Sequence, residues 1–217
     1  MANRDSSSQG AGALSPPDPW DPLVRASHWL IAGAVIANGL INKPGGTIHI
    51  WIGWAVLGLL ALRFVWGLFG PAEARFTAFL PDPRAAVSHL LALVRSKPKE
   101  YPSHNPAAAI MVYALWGCLV AVTATGLVMT GARSPVTIAE EKAAVAAGDW
   151  SVLVNADNHD GGAEMTGFRE AAEEVHEVAA NLMLVLALIH VAGVVVESRS
   201  LRRNLIRPMV FGRVRNK

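Results

Sequence analysis

Charge is scarce in this chain. Of its 217 residues only 17% are Asp, Glu, Lys or Arg, and residues 106–130 hold no charged side chain at all. Such a composition falls on the membrane side of the usual range and argues against a soluble all-helical fold. Cysteine is nearly absent too. Cys118 stands alone inside the uncharged stretch, so an internal disulfide is excluded and the redox compartment cannot be read from thiols. The first twenty residues, MANRDSSSQGAGALSPPDPW, lack the apolar core of a secretory signal. No removed leader is therefore expected; residues 1–19 read as a disordered cytoplasmic tail rich in Ser, Gly and Pro. No sequence repeat recurs at a fixed period.

What is present is apolar: 52% of the residues are hydrophobic and the mean hydropathy is +0.33. Four runs account for this: residues 23–41, interrupted by Arg25, His28 and Asn38; 48–69, holding His49 and Arg63; 106–130; and 175–196, holding Glu177, His176 and His190. Each reaches the roughly 17–25 residues that a spanning helix needs. The expected fold class is an all-α integral membrane protein, a four-transmembrane-helix bundle over residues 20–213.

Lys and Arg in the connections set the expected orientation. Residues 71–105 carry Arg75, Arg84, Arg95, Lys97 and Lys99, and the basic tail 197–217 carries Arg199, Arg202, Arg203, Arg207, Arg213, Arg215 and Lys217. Both belong inside, which makes both termini cytoplasmic. Residues 131–174 hold only Arg133, Lys142 and Arg169 against nine acids, and read as a long periplasmic loop. The segment PDPRAAVSHLLALVRS is too short to span. Its Val87, Leu90, Leu91 and Val94 recur at helical spacing behind Asp82 and Pro83, as in an amphipathic helix on the inner surface with Arg84 and Arg95 toward headgroups.

Histidine placement carries the chemistry. His176 and His190 lie fourteen residues apart, which on an α-helix returns the side chain to within about 40° of one face after a rise of about 21 Å. With alternating span directions, His49 shares the outer depth of His176, and His28 the inner depth of His190. Two facing imidazoles at each of two depths meet the bis-histidine demand of a six-coordinate b-type haem. A closed zinc site wants about four ligands, and each level offers two. Arg63 lies fourteen residues from His49, at the inner level, where it can neutralise a haem propionate or a lipid phosphate; Arg25 is a second candidate. Ala180, Ala187, Met183, Gly53 and Leu60 line the same helical faces. Gly117, Ala121, Ala124 and Gly126 suit the third span to close packing.

The plainer alternatives are that the histidines are satisfied core residues and that Arg63 is an interface anchor. His89 reads as solvated or at headgroup level and His159 as a loop residue, whereas His104 stands where a propionate or a quinone carbonyl is within reach. Trp29, Trp51, Trp54, Trp66 and Trp116 suit belt and core positions. Glu140, Glu141, Asp149, Asp157, Asp160 and Glu164 form a solvated loop or a docking face for a basic protein.

Several stretches together carry a family likeness: WDPLVRASHWL, IHIWIGWAVLGLLALRFVWGLFGP, YPSHNPAAAIMV, EEVHEVAANLMLVLALIHVAGV and NLIRPMVFGR. Over residues 20–213 the chain resembles the prokaryotic di-haem cytochrome b proteins that include bacterial cytochrome b561 and the cytochrome b subunit of nickel-iron hydrogenases. The resemblance implies haem ligands at His28, His49, His176 and His190, and electron transfer between the quinone pool and an extracytoplasmic redox partner. The long segment 131–174 departs from shorter family members.

Three functions follow as expectations. The first is a conduit in which two b-type haems carry electrons across the bilayer between quinone and a periplasmic c-type cytochrome, hydrogenase or dehydrogenase. The second is a self-sufficient superoxide:quinone oxidoreductase, disfavoured by the acidic outer segment. The third is a proton or metal-ion transporter, disfavoured by the lack of membrane-centre carboxylates. Expected partners are the lipid bilayer, quinone and a redox protein, with homo- or hetero-oligomers open; nucleic acid is not among them.

Overall fold

In the computed structural model the described residues are 20–95, 101, 104–152 and 162–211. The tail 1–19, His159 and residues 212–217 lie outside them. Among the described residues the chain is helical, without strands. Helix α1 (Pro22–Ile36) continues into one π-turn (Ala37–Ile41), and α2 spans Thr47–Phe69. Then come α3 (Pro83–Val94), α4 (Pro106–Met129), α5 (Pro135–Ala146), α6 (Gly162–Ser200) and the short α7 (Arg207–Val210). Four helices are long and apolar enough to cross a membrane: Pro22–Ile41, Thr47–Phe69, Pro106–Met129 and Gly167–Ser200.

The helix starts are chemically specified. Asp21 Oδ1 accepts from the amides of Leu23 and Val24, both at 3.0 Å, and Pro22 needs no amide partner. Asp82 does the same for Arg84 and Ala85, while Asn105 accepts from Ala108 and Ser134 from Thr137. Asp21 also accepts from Trp66 Nε1 at 3.1 Å, tying the start of α1 to the end of α2. Asp21→Ala removes both interactions and is expected to lower stability by about 2 kcal/mol. Asp21→Asn, which keeps an acceptor oxygen at this position, should recover most of the lost melting temperature in detergent.

Between α1 and α2 the chain reverses through Gly45, whose φ of +65° suits glycine. The four spans alternate in direction, so one end of the bundle carries α3 and the other carries α5. Helices α4 and α6 make the most extensive pairing. Val56 and Leu60 of α2, Cys118 and Leu119 of α4 and Met183 of α6 form the central apolar core. Large apolar side chains face outward around it, including Leu30, Leu62 and Leu188, the last 73% exposed, as hydrocarbon surroundings allow.

Two regions differ from the sequence expectation. The fourth helix begins well before residue 175 and runs 39 residues, roughly 58 Å at 1.5 Å per residue, nearly twice the hydrocarbon thickness. Hydropathy marks where lipid begins, whereas the strong helix formers of FREAAEEVHE carry the helix past that level. Segment 131–174 is accordingly partly helical. Its α5 rests on α2, with Lys142 Nζ donating to the Gly45 carbonyl at 3.1 Å and Arg133 paired with Glu141 at 2.8 Å.

Helix α3 presents Val87, Leu90, Leu91 and Val94 outward, and buries Ala86 and His89 against the bundle. His89 is therefore not a headgroup-level residue: it is 4% exposed, 3.8 Å from a Glu197 carboxylate oxygen, and packed on Tyr101. Glu197 also accepts from Asn105 Nδ2, the residue that caps α4. One acid near the end of α6 thus gathers α3 and α4 at this end.

Candidate functional site

The four histidines stand in two facing couples. His49, in the first turn of α2, faces His176 of α6 with ring centres 6.2 Å apart and planes at 53°. His28 of α1 faces His190 of α6 at 6.3 Å and 54°. Helix α6 supplies one ring to each couple, α1 and α2 supply the others, and α4 supplies none. The first couple lies at the α5 end and the second toward the α3 end, with Met183 of the apolar core between them along α6.

The separation is chemically informative. With metal–nitrogen bonds of about 2 Å, and ring centres about 1 Å beyond each nitrogen, imidazoles on opposite sides of one metal ion have centres about 6 Å apart. Among the described residues no three potential ligands of a metal ion cluster, so pairs are what the bundle offers. His28 Nδ1 and His49 Nδ1 are buried without a hydrogen-bond partner in the protein. These rings fit haem iron, which asks for two neutral nitrogens, better than a closed zinc site.

Each couple has a different surrounding. At the α5 end, Asn38 sits on the π-turn of α1 and donates through Nδ2 to the His49 carbonyl at 3.0 Å, while its Oδ1 accepts from Asn42. The His176 ring packs beside Gly126 and has its Nδ1 3.0 Å from Thr125 Oγ1. Neither Asn38 nor Thr125 stood out in the sequence as part of a site. Their signal is weak: polar side chains in apolar spans at the depth of a histidine.

At the α3 end Arg63 lies close enough for its charge to act on His28 and His104. Its guanidinium is 5.7 Å from the centre of the Trp116 ring, and its Nη1 is buried without a partner. Here the protein leaves an anion-binding group incompletely satisfied. Arg25 points elsewhere, donating to the carbonyls of Met209 and Val210, and Trp29 Nε1 donates to Met209 as well. Those side chains hold α7 against α1. His104 packs between Trp20 and Phe79. Burial above all, then the charges of His190 and Arg63, lowers its pKa to about 4, so the ring is neutral near pH 7.

Four apolar spans with imidazoles facing each other at two levels define an all-helical membrane protein. A sequence model described as prokaryotic cytochrome b561 matches residues 19–212, and the chain belongs to that family. The family consists of haem b cytochromes, and the chain is a multi-pass membrane cytochrome of electron transfer. No curated protein and no solved structure matches it.

Proposed function

We propose that this cytochrome binds two b-type haems, one between His49 and His176 and one between His28 and His190, and carries electrons across a bacterial inner membrane. The single observation that carries this reading is the pair of facing imidazole couples, 6.2 and 6.3 Å between ring centres, on opposite sides of one apolar core. Bound haem supplies an iron centre that accepts and gives up one electron. The chain's own residues fix the rest. Four histidines present neutral nitrogens, the apolar core excludes water between the two levels, and Arg63 offers charge to a propionate at the α3 end.

The α3 end is taken as cytoplasmic. Arg84, Arg95, Arg199, Arg202, Arg203 and Arg207 gather there, in keeping with the bias of Lys and Arg toward the inner side. The electron partners are then the quinone pool in the bilayer and a periplasmic redox protein that meets the α5 end. Glu140, Glu141 and Asp149 make that end acidic, which favours a basic partner over an anionic substrate such as superoxide.

Pyridine haemochrome analysis of the purified protein tests the reading. Two haems b per chain are expected, both low-spin. A protein that contains none after growth with ample iron and porphyrin precursor overturns it.

A further inference from the structure

His176 has hydrogen-bond partners on α4, in Thr125 and in the backbone of Val122. His176 Nδ1 lies 3.0 Å from the hydroxyl oxygen of Thr125. That hydroxyl is also 2.7 Å from the Ala121 carbonyl and 3.2 Å from the Val122 carbonyl, toward which its single proton points. With that proton given to the backbone of α4, the oxygen is left as an acceptor, and the Val122 carbonyl, which can only accept, also acts on the ring; both favour His176 Nδ1 as the donor. Its Nε2 is then the nitrogen with a free lone pair. By contrast, the Nδ1 atoms of His28 and His49 are both buried with no partner in the protein.

We infer that Thr125 is a positioning residue for His176: its hydroxyl fixes the tautomer and orientation of that one ligand, and lowers the reduction potential of the haem it holds. The inference rests on the reading of His49 and His176 as a haem couple. A ring that donates from Nδ1 gains electron density at Nε2 and becomes a stronger ligand to ferric iron than to ferrous iron. Helix α4, which gives no ligand, thereby acts on one of the two levels and leaves the other alone.

Thr125→Val keeps the branched shape and removes the hydroxyl; Thr125→Ser keeps the hydroxyl. Redox titration of the purified holoprotein, followed in the haem α-bands, is the readout, with haem content measured on every sample. Thr125→Val is expected to retain two haems and to move one midpoint potential positive. The shift should correspond to about a threefold to tenfold change in the ratio of reduced to oxidised haem, roughly 30–60 mV for one electron. The other potential should stay in place, and Thr125→Ser should restore the first. The electron paramagnetic resonance signal of the same haem should shift in Thr125→Val and return in Thr125→Ser.

Loss of that haem alone in Thr125→Val, with retention in Thr125→Ser, also supports the assignment, because only the hydroxyl separates the two outcomes. Two haems with unchanged potentials and unchanged resonance signals in Thr125→Val overturn it. So does equal loss in both variants, which would make the effect one of packing. A wild-type protein without haem defeats the underlying reading instead, and haem content distinguishes that result from the others.

Discussion

His176→Ala is expected to leave one haem per chain where the wild type has two, and His49→Ala should remove the same one. Their rings face each other at 6.2 Å, so truncating either would leave only one imidazole to hold a haem at that level. His28→Ala and His190→Ala should each remove the other haem, by the same reasoning at 6.3 Å. The levels are about 21 Å apart along α6, and Met183 with the rest of the apolar core stands between them. Losses should therefore be independent, and His176→Ala/His190→Ala should contain no haem. Haem content and reduced-minus-oxidised spectra read both effects. If His49→Ala and His190→Ala proved to remove the same haem, the pairing by depth would be wrong.

The spans and their pairing were legible because both follow from coarse physics. A bilayer accepts only stretches that are long and apolar, and a short connection such as NKPGGT forces the next span to reverse. Once directions alternate, counting residues assigns a depth to every histidine, and the structure brings His49 to His176 and His28 to His190. Residues outside the hydrocarbon obey no such filter. The first turns of α6 are rich in Glu and Ala, which read as a loop on a hydropathy scale and as a helix on a propensity scale. Because tertiary support continues from the span, helix wins.

Side-chain partners were less legible, for a different reason. Arg25 and Arg63 have similar positions in their sequence patterns, but only Arg63 reaches the histidines. Arg25 is held by carbonyls of Met209 and Val210, 184 and 185 positions away, a contact that no local spacing reveals. His89 looked like an interfacial residue because its neighbours Val87, Leu90 and Leu91 form the apolar stripe. The opposite face of α3 also packs, against Glu197 and Tyr101. Thr125 was invisible because a threonine inside an apolar helix ordinarily bonds back to its own turn. It does so here, and the same oxygen lies 3.0 Å from His176 Nδ1.

Arg63 carries the other large expected effect, and its sign depends on whether haem is present. It is the single charged residue of α2, and Nη1 is buried without a hydrogen-bond partner. Trp116 covers one face of the guanidinium, and Asp21 acts on it without an ion pair at contact distance. A charge so placed burdens the haem-free protein, because burial is only partly compensated. When a propionate supplies the missing anion, removing the guanidinium leaves that carboxylate uncompensated, a loss of about 3–5 kcal/mol for a buried pair. Arg63→Met is therefore expected to leave the haem-free protein as stable as wild type or slightly more so. Binding of the haem at the His28 and His190 level should weaken by about a hundredfold or more, since each 1.4 kcal/mol is a factor of ten. Arg63→Lys should fall between, because it restores the charge without the two-pronged geometry. Thermal melts of the haem-free protein, combined with haem transfer to apomyoglobin from the loaded protein, measure both signs. Unchanged haem retention in Arg63→Met would identify Arg63 as an interface anchor for lipid phosphate, since a propionate partner cannot be removed without consequence for the haem it holds.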